Sequence, residues 1–96
     1  MKIIGRDKLD AFSAKYADTR KWIENWLAEA EAASCRTPQQ IKGRYSSASF
    51  LSDNLVVFNV KGNPYRLEVL VAYRTSVVVV QWVGTHAAYD ARNKKR

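Results

Sequence analysis

From Leu55 the hydrophobic period changes to two, most clearly in Val56, Phe58 and Val60 and in Tyr65, Leu67, Val69, Val71 and Tyr73, and a pleated sheet turns such a pattern to one face. Leu55 to Lys61, Tyr65 to Tyr73 and Val77 to Val83 are expected to be strands, separated by Gly62-Asn63 and Thr75-Ser76. Both pairs tolerate the backbone angles of tight hairpin turns. The expected product is an antiparallel meander.

A two-residue turn at Gly62-Asn63 pairs Lys61 with Pro64, Asn59 with Arg66 and Phe58 with Leu67. Val56, Phe58, Val60, Tyr65, Leu67, Val69, Val71 and Tyr73 then share a core face with Val78, Val80 and Trp82. Asn59, Lys61, Arg66 and Glu68 collect on the opposite face near the first turn. With Thr75-Ser76 as the second turn, Gln81 falls diagonally beside Glu68 and Thr85 falls opposite Arg66. Leu70 and the valines at the far end of that face call for partial cover.

Upstream, the period is helical. Leu9, Phe12 and Tyr16 form one stripe, and Trp22, Ile23, Trp26, Leu27, Ala30 and Ala33 form a second, longer one introduced by Asp18 as N-cap. The phase of Trp22 and Trp26 with Ile23 and Leu27 assigns both indoles to the core rather than to a base-stacking platform. Ile3 and Ile4 suggest a short opening strand. Thr37-Pro38-Gln39-Gln40 has capping-box form, with Gly43 expected to stop the helix after one turn, and the segment from Arg44 to Phe50 reads as loop or edge strand.

Ninety-six residues suit one domain, spanning residues 1–96. Cys35 is the sole cysteine, which rules out an internal disulfide, and with a single histidine beside it no transition-metal site and no cofactor are expected. No apolar run reaches the roughly 18 residues of a membrane span, and Lys2 interrupts the opening apolar residues before a signal-peptide core can form, so no membrane association and a cytoplasmic location are expected. The formal charge is +7; residues 55–96 hold seven basic and two acidic side chains, against nine and seven in residues 1–54. A basic second half favours a polyanion, nucleic acid first, with an acidic protein as the competing partner.

The single histidine stands in GTHAAYD, residues 84 to 90, directly after the valine strand. Gly84 is read as the point where that strand changes direction, delivering Thr85 and His86 beside Arg66, with Tyr89 one helical turn further on. Lys61, Arg66 and His86 thus converge from three strands or strand ends, with Asn59 at hand as a hydrogen-bond partner. Two cations near one histidine suit a phosphodiester. Attack of a ribose 2′-hydroxyl on the adjacent phosphorus builds negative charge on the phosphoryl oxygens and on the departing 5′-oxygen, and those residues can stabilise the one and protonate the other.

The segments SASF (47 to 50), VVFNVKGNPYRL (56 to 67) and WVGTHAAYD (82 to 90), in that order and spacing, resemble the HigB-type toxins of bacterial toxin–antitoxin modules, within the RelE/ParE superfamily. The resemblance implies an α+β fold with N-terminal helices packed on a twisted antiparallel sheet, and metal-independent cleavage of mRNA on the ribosome, in the 30S A site. Carried over by position, Lys61, Arg66 and His86 are the catalytic candidates. Asn59, Asn63, Gln81 and Tyr89 are the RNA-binding ones. Many RelE-like toxins carry Arg or Lys in the last strand where this chain has Gln81, which leaves one fewer fixed charge for the transition state. The resemblance also implies a partner, a HigA-type helix-turn-helix antitoxin, with promoter DNA reached only through the toxin–antitoxin complex. Two other functions remain open at this point: a ParE-like poison of DNA gyrase acting through protein contacts, and a non-catalytic RNA-binding protein.

Overall fold

The computed structural model describes residues 1–33, 37–45, 48–52, 54–61 and 64–93. Cys35, Ser47 and the Gly62-Asn63 turn lie outside the described residues. In chain order the elements are β1 (Lys2–Ile4), α1 (Arg6–Lys15), a 3₁₀ turn (Ala17–Thr19), α2 (Arg20–Ala32), α3 (Pro38–Arg44), β2 (Ser49–Phe50), β3 (Leu55–Val60), β4 (Tyr65–Ala72), β5 (Val77–Thr85) and α4 (His86–Asn93). The sheet runs β1-β5-β4-β3-β2. Its β2 to β5 portion is antiparallel as expected, but β1 joins β5 in parallel, so the sheet of this α+β fold is mixed.

One face of the sheet carries the core. Val56, Phe58, Val60, Leu67, Val69, Val71, Val78 and Val80 are all buried there against Leu9 and Phe12 of α1 and Ile23, Trp26, Leu27 and Ala30 of α2. Trp22 is only partly buried against this cluster, whereas Trp26 is inside it. Alternation along β3 and β4 and the helical stripes upstream therefore meet as two layers over one apolar interior.

The local caps differ from expectation in two places. Asp18 lies in the 3₁₀ turn and accepts from the Tyr65 hydroxyl at 3.2 and 3.1 Å, so it does not cap α2; Thr19 occupies that position, with its hydroxyl donating to Tyr16 O at 2.7 Å. Thr37 does cap α3, accepting from the Gln40 N–H, but α3 runs through Gly43 to Arg44, since nothing at that glycine requires a left-handed backbone. Ser49–Phe50 forms the edge strand.

The register of the first hairpin is as expected, with Asn59 opposite Arg66 and Phe58 opposite Leu67. The second is not. Its connection is a four-residue turn, Tyr73 to Ser76, in which Ser76 N–H reaches Tyr73 O at 3.4 Å and Ser76 adopts φ 54°. Ala72 then pairs with Val77 and Val69 with Val80, after which a β-bulge opposite Glu68/Val69 leaves Gln81 without a cross-strand partner. Beyond the bulge Glu68 faces Trp82, Leu67 faces Val83, Arg66 faces Gly84 and Tyr65 faces Thr85. The extra residue reverses the phase of the strand end. Val83 takes the core-side position, Trp82 moves to the opposite face, and Thr85 is displaced from Arg66 to Tyr65.

That opposite face is covered by α4. Trp82 packs on Tyr89 with ring centroids 5.9 Å apart, Arg92 lies 5.3 Å over the Trp82 ring, and Arg92 Nη1 reaches Glu68 Oε1 at 2.9 Å. Leu70, at the far end of the face, stays exposed. Glu68 is 2% exposed and Arg92 33% exposed, so their pair fastens the helix over a buried carboxylate. Arg92→Ala should cost on the order of 2–3 kcal/mol, somewhat less than a fully enclosed pair, because the guanidinium keeps contact with water. Thermal melts should show this as a lowered Tm; an unchanged Tm would mean that the pair contributes nothing net.

Candidate active site

The first residue of α4, directly after the end of β5, brings its side chain to Arg66: this is His86. On β4, Arg66 follows Tyr65 and precedes the fully buried Leu67, which fixes its backbone on the sheet. Across from it stands Gly84, where an added Cβ would come within 2.5 Å of the Trp82 ring. The glycine is therefore needed for the indole lying over it rather than for a change of direction: β5 continues through Gly84 to Thr85, and α4 begins only at His86. Thr85 Oγ1 accepts the Ala88 N–H at 3.1 Å, acting as N-cap, while the His86 N–H donates to Pro64 O at 2.9 Å. A strand end, a cap and one backbone bond thus hold the histidine in place.

Both ring nitrogens of His86 are engaged. Nδ1 lies 3.3 Å from Arg66 Nη2, and Nε2 lies 3.1 Å from Asp90 Oδ2, one turn further along α4. Arg66 Nη1 also donates to Tyr65 O at 3.0 Å. The His86 and Asp90 side chains are 39% and 57% exposed, so the cluster is open to a large substrate. Fixed guanidinium donors beside a titratable ring at an exposed sheet end can bind a phosphoryl group and move a proton next to it.

The other sequence candidates have neighbours of their own, and no contact joins Lys61, Gln81 or Tyr89 to this pair among those described. Lys61, whose backbone adopts φ 54°, has its ammonium 3.6 Å from Asp18, which also holds the Tyr65 hydroxyl. Desolvation first, then the hydrogen bond to the Asp18 carboxylate, holds the Tyr65 phenol above its ordinary pKa, which keeps it a donor. Asn59 is the cross-strand partner of Arg66 and also borders a cleft of about 290 Å³ with Trp22, Asn25, Trp26, Glu29, Tyr45 and Phe58. Tyr89 packs on Trp82. Gln81, on the bulge, borders an open groove with Lys8 and Lys15 of α1 instead of sitting diagonally beside Glu68. Asn63 lies outside the described residues.

Asp90 was not foreseen from the sequence, although its signal was there: once residues 86 to 90 are helical, a carboxylate four positions after a histidine shares its face. Among the described residues no cluster of three or more His, Cys, Asp or Glu side chains could hold a metal ion. No helix among them is long and apolar enough to cross a membrane.

Residues 19–92 match the family model HigB toxin, described as the RelE-like toxic component of a toxin–antitoxin system. The chain belongs to the HigB toxin family. It is accordingly the toxin of a toxin–antitoxin pair, and an antitoxin partner follows from that membership. No curated protein matches the chain. The matched span takes in Arg66, His86 and Asp90 together with the bulge and most of α4, so the cluster lies within the HigB toxin domain.

Proposed function

We propose that this toxin is an endoribonuclease that cuts mRNA on the translating ribosome, by attack of a ribose 2′-hydroxyl on the adjacent phosphodiester, and so arrests translation and growth. The observation that carries the reading is the 3.3 Å contact between Arg66 and His86 at an exposed sheet end, a cation and a proton carrier side by side in a toxin of RelE type. Arg66 stabilises the charge that develops on the phosphoryl oxygens. His86 protonates the departing 5′-oxygen. Lys61, once a phosphate competes with Asp18, adds a second cation, and Asn59, Asn63, Gln81 and Tyr89 contact the RNA on either side. The reaction needs no metal in this scheme, since the guanidinium supplies the electrostatic stabilisation. A HigA-type helix-turn-helix antitoxin neutralises the toxin in the cytoplasm, and promoter DNA is reached through that complex.

A single histidine and a few cations do not align the 2′-hydroxyl by themselves. The ribosomal A site holds the message in a fixed geometry, and such alignment can recover roughly 7–11 kcal/mol of barrier. Purified toxin is therefore expected to cleave ribosome-bound message far faster than the same naked RNA, as read by primer extension on both substrates. Equal rates on the two would contradict ribosome dependence, and loss of gyrase activity without any message cleavage would favour a ParE-like toxin instead.

A further inference from the structure

We infer that Asp90 is a positioning residue that holds the proton of His86 on Nε2, so that Nδ1 is the nitrogen that transfers a proton to RNA. This inference rests on the cleavage reading above. An arginine N–H can only donate, so the contact of Arg66 Nη2 with Nδ1 is a hydrogen bond only when Nδ1 carries a lone pair. A carboxylate can only accept, so the 3.1 Å contact of Nε2 with Asp90 Oδ2 is one only when Nε2 carries the proton. The two contacts select the same tautomer. They also leave the ring without a free nitrogen while both partners stay in place.

Substrate removes one of them. A phosphodiester offers Arg66 charged oxygens in place of a neutral ring nitrogen, a stronger hydrogen bond for the guanidinium. Arg66 turns to the phosphate and Nδ1 is released. Asp90 stays, fixed to the same helix four residues on, and its charge offsets that of the imidazolium when Nδ1 takes a proton from solvent water. In the reaction the 2′-oxygen-to-phosphorus bond forms as the phosphorus-to-5′-oxygen bond breaks, the Nδ1 proton passes to the 5′-oxygen, and the 2′-hydroxyl proton leaves to water. The role of Asp90 resembles that of any carboxylate that orients a catalytic imidazole, with the reacting nitrogen reversed.

His86 is the only histidine in the chain, so protein labelled with ¹⁵N-histidine gives the spectrum of this ring alone. At a pH where the ring is neutral, long-range ¹H–¹⁵N correlation in the isolated protein should show the Nε2–H tautomer dominant. Asp90→Ala should abolish that preference with helicity by circular dichroism unchanged. Asp90→Asn should retain it, because the amide oxygen still accepts from Nε2–H. On ribosomes, Asp90→Ala should slow cleavage about tenfold or more, and a message with sulfur in place of the scissile 5′-oxygen should be cut at nearly the unmutated rate. A dominant Nδ1–H tautomer, or a tautomer balance indifferent to Asp90→Ala, would overturn the inference. The tautomer is read without RNA, so it separates this outcome from failure of the cleavage reading, which would show instead as full cleavage by a His86→Ala protein.

Discussion

Arg66→Ala is expected to lower message cleavage about a hundredfold or more and to leave the protein folded, because loss of one preorganised donor to a developing oxyanion typically costs that much. Preorganisation here comes from the sheet. Arg66 sits between a half-buried tyrosine and a fully buried leucine on β4, with Asn59 on one neighbouring strand and Gly84 on the other. Its guanidinium is further held by Tyr65 O, so it meets the phosphate with little loss of side-chain freedom. Lysine at the same position keeps the charge but not the two-pronged donor geometry, so Arg66→Lys should recover only part of the rate. Primer extension on ribosome-bound message gives the rates, and a thermal melt checks the fold. A folded Arg66→Ala protein that cuts at the full rate would remove Arg66 from the mechanism.

His86→Ala should cost roughly 10²–10⁴-fold, the range for a positioned proton donor. The structure adds a reason to expect a clean result from this substitution. His86 is held by its own backbone bond to Pro64 and by the Thr85 cap, and neither depends on the imidazole. The ring itself is 39% exposed, so its removal opens no core cavity. Arg66 loses one partner but keeps Tyr65 O. An activity loss in this variant therefore reports chemistry rather than collapse of α4.

The parts of this site that could be read in the sequence are those where alternation fixes the phase. Along β3 and β4 every second residue is apolar, so a slip of one position would bury Asn59 and Arg66, and the register of Asn59 against Arg66 is legible for that reason. The run Val77 to Val80 has no such contrast, since either face would accept valine. Nothing there signals that the turn takes four residues or that Gln81 is bulged out. The consequences are the opposite placement of Trp82 and the exchange of Thr85 for Gly84 opposite Arg66. The helical turn carrying Tyr89 was legible, but its cover of the sheet was not: its charged end reads as a solvated tail, and its apolar contact rests on Trp82, which falls on the core face unless the strand is bulged. The convergence of Arg66 with His86 was legible nonetheless, because the histidine follows the strand end directly and tolerates a shift of one residue there.

The chemistry of that pair can be tested by changing one atom of the substrate. A message carrying sulfur in place of the scissile 5′-oxygen has a leaving group that needs no proton. Cleavage of normal and sulfur-substituted messages on ribosomes is then compared for the unmutated toxin and for His86→Ala. If His86 protonates the departing oxygen, the variant cuts the normal message slowly and the sulfur-substituted one at nearly the unmutated rate. If it cuts both equally slowly, His86 does not donate that proton and the assignment of the Arg66–His86 pair as charge stabiliser and general acid is wrong.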